Sequence, residues 1–171
     1  MEQRKRGDGM RDSVDEFLGQ WAALRTDLDL DAMGTVGRLM RLSRFVGSGL
    51  KDYFAEHGME TWEFDVLATL RRTDRPLTAK ELAASVMIGS AALTNRVDRL
   101  VAREFVRREA VPGNRRSLHI VLTEAGRDQV DAVIEGHVQN QRKLLSGLDQ
   151  ESHRELDHLL RTLLLSLGDT P

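Results

Sequence analysis

A mainly α fold is predicted, a winged helix-turn-helix with N- and C-terminal helices and a small β-wing, and three features predict it. Two short amphipathic segments, TAKELAASV and SAALTNRVDRLVAREF, follow Pro76 and are joined by a tight turn. Directly after them, FVRREAV and LHIVLT alternate around a turn, PGNRRS, that opens on Pro-Gly-Asn. Long stretches with apolar residues at helical spacing stand on both sides.

Taken in order, residues 1–12 are polar and basic with Gly7 and Gly9, and are expected to form a mobile arm. Val14, Phe17, Leu18, Trp21 and Leu24 share one helical face, and Ser13 with Glu16 suits a capping box. The acidic run at 27–31 separates this helix from a longer one that carries Met33 to Phe54 and stops near Gly58. TWEFDVLATLRR reads as a third helix with Thr61 as N-cap and Trp62 in the core. Thr78 caps the next helix, again with a glutamate three residues on, Glu81. Ser90 opens the second helix of the pair, whose Leu93, Val97, Leu100 and Val101 point inward. After the hairpin, Thr123 starts a long helix through Leu144, and Asp149 opens a last, leucine-rich one. The expected organisation is an arm at 1–12, an additional N-terminal helix at 13–30, and a helical dimerisation region formed by 31–60 and 124–171. The winged helix-turn-helix occupies 61–123.

Composition bounds the function. There are no cysteines, which excludes disulfides, thiolate metal sites and a cysteine nucleophile. No apolar run approaches the roughly 20 residues that span a bilayer, and the N-terminus lacks a signal-peptide stretch, so a cytoplasmic protein is expected. The chain has no Gly-rich phosphate loop, nucleophile elbow or H-E-x-x-H pattern, and its five histidines show no i, i+4 pair. No catalytic residue, metal site or cofactor is therefore expected. A zinc-sensing regulator built from histidine and carboxylate ligands stays open as an alternative.

The positive indication is for double-stranded DNA. A net charge of −2 makes the placement of charge matter more than its sum. The second helix of the pair offers Ser90, Ala91, Thr94, Asn95 and Arg99 on its outer side. Small residues there let backbone approach the major groove, and the polar ones meet base edges. Arg115 and Arg116 near the hairpin tip are placed to enter the neighbouring minor groove, where the potential is negative. One such module binds weakly, so a homodimer is expected. Leu156, Leu159, Leu160, Leu163, Leu164 and Leu167 of the last helix exceed what one small core needs, although packing onto the preceding helix is the alternative.

From about Met33 to Leu167 the chain resembles the MarR (multiple-antibiotic-resistance regulator) family, best in LTAKELAASVMIGSAALTNRVDRLVAREFVRRE and in the wing NRRSLHIVLTEAGR. The resemblance implies a triangular homodimer with a winged helix at two corners, and repression relieved by ligand. One departure is Asn114, which stands where the family often has an acidic residue before the two arginines. A narrower resemblance is to the urate-responsive, PecS-like subgroup. It implies a ligand site of Trp21 in the extra helix, Asp65 in WEFDVL, Arg96 in TNRVDRL and Arg108 in FVRRE. The chemistry is consistent with it: a flat anionic purine wants a guanidinium and an aromatic face. Asp65 would hold Arg96 or Arg108 until ligand competes for the arginine, moving the recognition helix. A phenolic or antibiotic effector in the same region, or a DNA-architectural protein without a ligand, are the alternatives kept open.

Overall fold

The computed structural model describes residues 10–86, 88–111 and 114–170, with the backbone alone at Ser90 and at 114–116. The elements run α1 (Ser13–Leu24), α2 (Asp31–Glu56), α3 (Thr61–Thr73), β1 (Leu77–Thr78), α4 (Ala79–Ser85), α5 (Ser90–Ala102), β2 (Val106–Val111), β3 (Asn114–Leu122), α6 (Glu124–Leu144) and α7 (Gln150–Ser166). The fold is mainly α with a three-stranded antiparallel sheet of order β1-β3-β2. Two compact units divide the chain, Met1–Ser48 and Gly49–Pro171, and α2 runs through the division.

In the first unit α1 lies on the first half of α2. Its N-cap is Asp12, not Ser13: the Asp12 carboxylate accepts the N–H groups of Val14 (2.8 Å) and Asp15 (3.0 Å), and Asp15 returns a bond to the Asp12 N–H. A carboxylate one residue upstream is the stronger acceptor for these N–H groups than a hydroxyl at Ser13. Arg38 of α2 reaches both acids, at 2.8 Å to Asp12 and 2.6 Å to Asp15. The bond from Arg38, backed by the backbone N–H groups, holds the Asp12 carboxyl down at about 2. Val14 is buried beneath this clamp, and a Cβ at Gly37 would stand 2.9 Å from the Phe17 ring, so the glycine sets how closely the helices meet.

The second unit holds the main core, in which Phe54, Leu67, Leu82, Leu100, Ile120 and Val133 from successive elements are buried together. Glu60 is the N-cap of α3 and Thr61 its first helical residue, a one-residue correction to the expectation. The reciprocal partner fixes it, because Glu63, three residues on, accepts the Glu60 N–H at 2.9 Å. Thr78 caps α4 as expected, with Glu81 returning to the Thr78 N–H at 2.8 Å. The second helix of the pair stops at Ala102, short of Phe105, because Glu104 takes a left-handed conformation (φ 60°) that turns the chain into β2. Residues 114–117, expected in the turn, belong to β3, and a register shift between Ala110 and Val111 lets Val111 face Asn114. Leu77 and Thr78 pair with Ile120 and His119, a strand too short for periodicity to announce.

The long helix α6 is capped by Thr123 and packs against the end of α2. Tyr53 Oη donates to the Val133 carbonyl at 2.7 Å, and Asn140 donates to the Gly49 carbonyl at 3.0 Å. Gly136 leaves room for the Tyr53 hydroxyl, and Gly126 for the Phe105 carbonyl oxygen, which a Cβ would overlap. Asp149 caps α7, as the sequence predicts, yet α7 buries no residue. Among the described residues, no helix is long and apolar enough to cross a membrane, and no cluster of three metal-ligating side chains exists.

Candidate nucleic-acid interface

Helix α5 is held by one side only. Leu93, Val97 and Leu100 are buried in the core, which turns Ala91, Thr94, Asn95 and Arg99 outward. Ala91, Asn95 and Arg99 recur every four residues and form one exposed stripe along the helix. The wing follows at once. The side chains of Ser90, Arg115 and Arg116 lie outside the described part of the chain, although Ser90 opens α5 and the two arginines run in β3.

Charged pairs bracket α5 on both flanks. Towards the wing, Arg108 of β2 donates to Asp98 of α5 at 2.7 Å, while Arg107 pairs with Glu109 along its own strand. Beside them, Thr94, Asp98, Lys80, Arg108 and Leu118 line part of a cleft of about 650 Å³. On the opposite flank stands the start of α3. Arg103 donates from Nη1 to both oxygens of Glu63, at 2.9 and 2.8 Å, and from Nη2 to the Gly58 carbonyl. Glu63 is buried, at 2% exposure, so the Arg103 guanidinium is what makes a carboxylate tolerable there. Arg99 pairs with Glu60, and its guanidinium also lies 4.7 Å from the centre of the Trp62 ring. Arg96 stands 5.4 Å from the same ring. Trp62 is half-buried against the core, as the sequence suggests, but its face serves two cations and its Nε1 donates to Glu60 at 2.7 Å.

Of the four residues proposed to hold a ligand, Asp65, Arg96 and Arg108 lie in the second unit. Asp65 reaches solvent, yet the surrounding protein pushes its carboxyl above the usual range, and the charges of Arg96, His137 and Arg72 pull it back part of the way. Asp65 and Arg96 are thus brought into electrostatic reach, whereas the partner of Arg108 is Asp98. Trp21 belongs to the first unit, on α1, with 44% of its surface exposed.

His137 escaped the sequence reading. It is buried on α6 between Phe54 (5.0 Å between ring centres) and Phe64 (4.7 Å), and Gln141 Nε2 lies 3.0 Å from its Nε2. Among the described residues its Nδ1 has no hydrogen-bond partner, and burial lowers the ring's proton affinity against the opposing pull of Asp65. Glu63 was missed too. Its signal was there, an acidic residue one turn before Leu67 on the buried face of α3, which demands a cation nearby.

Comparison with known proteins places this geometry. A family model described as "MarR family" matches residues 57–117. The HTH-type transcriptional regulator PecS of Dickeya dadantii is 36% identical over 149 residues, covering 86% of this chain and 90% of the relative. Sco3205, a MarR family regulator from Streptomyces coelicolor solved in complex with DNA, superposes with a TM-score of 0.75 at 24% identity, over 84% of this chain and 91% of that one. BpsR of Bordetella bronchiseptica, solved to explain regulation of its DNA binding by 6-hydroxynicotinic acid, superposes at 0.69 with 22% identity, covering 80% and 94%. At these identities the two structures establish the winged-helix fold.

Proposed function

The chain belongs to the MarR family of transcriptional regulators, and from that premise we propose that it is a homodimeric repressor released from its operator by a small planar anion such as urate. The observation that carries the DNA-binding part is the exposed face of α5, with Ala91, Thr94, Asn95 and Arg99 turned outward directly beside a basic hairpin. A helix of this kind docks in the major groove, and phosphate contacts from the arginines supply affinity that falls steeply with salt. Ser90, Arg115 and Arg116 complete the proposed contact set. The DNA complex of Sco3205 supports this docking for the shared fold.

The dimer is supported by α7, where Leu159, Leu163, Leu164 and Leu167 stand 58, 43, 49 and 76% exposed in the single protomer. Such a leucine face is stable in water only when another surface covers it. A second copy also places two recognition helices roughly 34 Å apart on one face of the duplex.

The effector acts on Asp65, Arg96 and Arg108. An anion competing for Arg96 relieves the partly desolvated Asp65 and shifts an arginine that α5 itself carries. Affinity for a dimer shape that no longer fits the operator then releases the DNA. Regulation of BpsR by 6-hydroxynicotinic acid, a planar heteroaromatic acid, supports the ligand class. Trp21, the fourth member of the predicted set, is tested by its own substitution.

The test is a gel shift of the protein on its own upstream DNA, titrated with urate, xanthine and salicylate. Release by urate that is blunted in Asp65→Asn and in Trp21→Ala is the expected result. Binding that ignores urate keeps the regulator and removes the proposed effector. Release by salicylate alone moves the assignment to phenolic ligands.

A further inference from the structure

Arg99 is the long cation on the exposed stripe of α5, within reach of a DNA phosphate once that helix docks. In the free protein it is already engaged. Its guanidinium stands over the Trp62 ring, 4.7 Å from the ring centre, with a terminal nitrogen on the Glu60 carboxylate. Glu60 is itself fixed by the Trp62 indole N–H at 2.7 Å, so a carboxylate oxygen is held at the position a phosphate oxygen would otherwise take. We infer that Glu60 is an internal phosphate surrogate: it occupies Arg99 in the absence of DNA and must be displaced when the recognition helix docks. This rests on the proposed entry of α5 into the major groove.

The physical argument concerns competition between two anions for one guanidinium. Glu60 and Arg99 keep about half of their side-chain surface exposed, 54 and 53%. The pair is therefore weak enough to exchange, and Arg99 is not a buried structural cation. Arg103, one turn further along the same flank, differs in kind. Its partner Glu63 is buried at 2% exposure, so that bridge stays closed and keeps α5 seated while Arg99 swings out. The arrangement separates a permanent tether from an exchangeable one four residues away. Trp62 serves both states, because its face carries the Arg96 guanidinium beside that of Arg99 and keeps it when Arg99 leaves.

The surrogate has a thermodynamic signature. A phosphate contact releases about 0.9 of a counterion. That release accompanies the phosphate contact whether or not Arg99 first leaves Glu60, because a single exposed carboxylate is screened by salt and condenses no counterion. The surrogate therefore shows in the affinity, as the work of breaking the Arg99–Glu60 pair, and removing the Glu60 charge returns that work to binding.

The experiment measures binding of the full-length dimer to two duplexes of equal length, one selected by the protein from a randomised library and one unrelated. Each is titrated from 50 to 300 mM salt. Glu60→Gln is expected to tighten both by roughly two- to fivefold at the low end, the span set by an exposed ion pair. The log–log salt slope is expected to stay as in the wild type, because the number of phosphates contacted does not change. In an Arg99→Gln background the same substitution is expected to do nothing. Equal or weaker binding by Glu60→Gln, with wild-type thermal stability, overturns the surrogate while leaving DNA binding intact. A gain that persists without Arg99 also overturns it, because general removal of negative charge then explains the effect. If the wild type binds neither duplex, the DNA-binding reading fails and takes this inference with it.

Discussion

Replacing Arg103 by methionine strips the cation from a carboxylate that has 2% exposure. Glu63 would keep only the Glu60 N–H, at 2.9 Å. Removing one partner of a buried pair costs about 3–5 kcal/mol when both are enclosed. Arg103 is 39% exposed, so water replaces part of what it supplied, and about 2–3 kcal/mol is the working figure. For a chain of 171 residues this lowers Tm by roughly 5–10 °C. The assay is thermal unfolding by circular dichroism at fixed protomer concentration, since the midpoint depends on concentration wherever copies associate. The double variant Glu63→Gln/Arg103→Met is expected to regain most of the loss, because no charge is left stranded. A fall of less than 2 °C in the single variant, or a double variant no better than the single, refutes the account of Glu63 as a buried charge that needs its arginine.

Three further outcomes follow from the same structure. His137 binds its proton more weakly in the fold than its ordinary value of 6.5, because burial opposes the charge. The unfolded chain therefore binds more protons, so stability is full above pH 6.5 and falls as pH drops below it; urea midpoints from pH 7.5 to 5 should show this slope flattened in His137→Phe. Gly126→Ala drives a Cβ into the Phe105 carbonyl oxygen, a backbone atom that cannot step aside, and chemical denaturation should show a loss of about 1–3 kcal/mol or more. Leu163→Arg with Leu167→Arg is expected to give a helical but monomeric protein in light scattering, with operator binding lost; an intact dimer would return those leucines to the protomer.

Much of this architecture was written in short-range chemistry. Thr78 with Glu81, Thr123 and Asp149 announce helix starts because a cap is satisfied within three residues of itself. The same locality explains the errors. Ser13 and Thr61 were good cap residues by type, but Asp12 and Glu60 won because their reciprocal acids, Asp15 and Glu63, sit at the right count from them. The strand of Leu77 and Thr78 exists only through Ile120 and His119, some forty residues on, and no local pattern encodes such a pairing. Of the candidate site, the outward stripe of α5 was legible from its helical period. The braces around it were not. Arg108 and Asp98 lie ten residues apart and Arg99 and Glu60 thirty-nine, and which acid meets which base depends on how the elements pack.

The hairpin has one more consequence, for the behaviour of many copies together. In the order β1-β3-β2, no strand among the described residues pairs with the outer edge of β2, and β1 covers β3 over two residues only. Open edges of this kind recruit other edges, and the wing of one molecule offers such an edge to the wing of another. Arg107, Arg108 and Glu109 crowd β2 with charge whose burial against a second strand would be costly. The arginines that suit the wing to a polyanion thereby also keep wings apart, and a variant with threonine or valine at these positions would trade weaker DNA binding for a new tendency to aggregate.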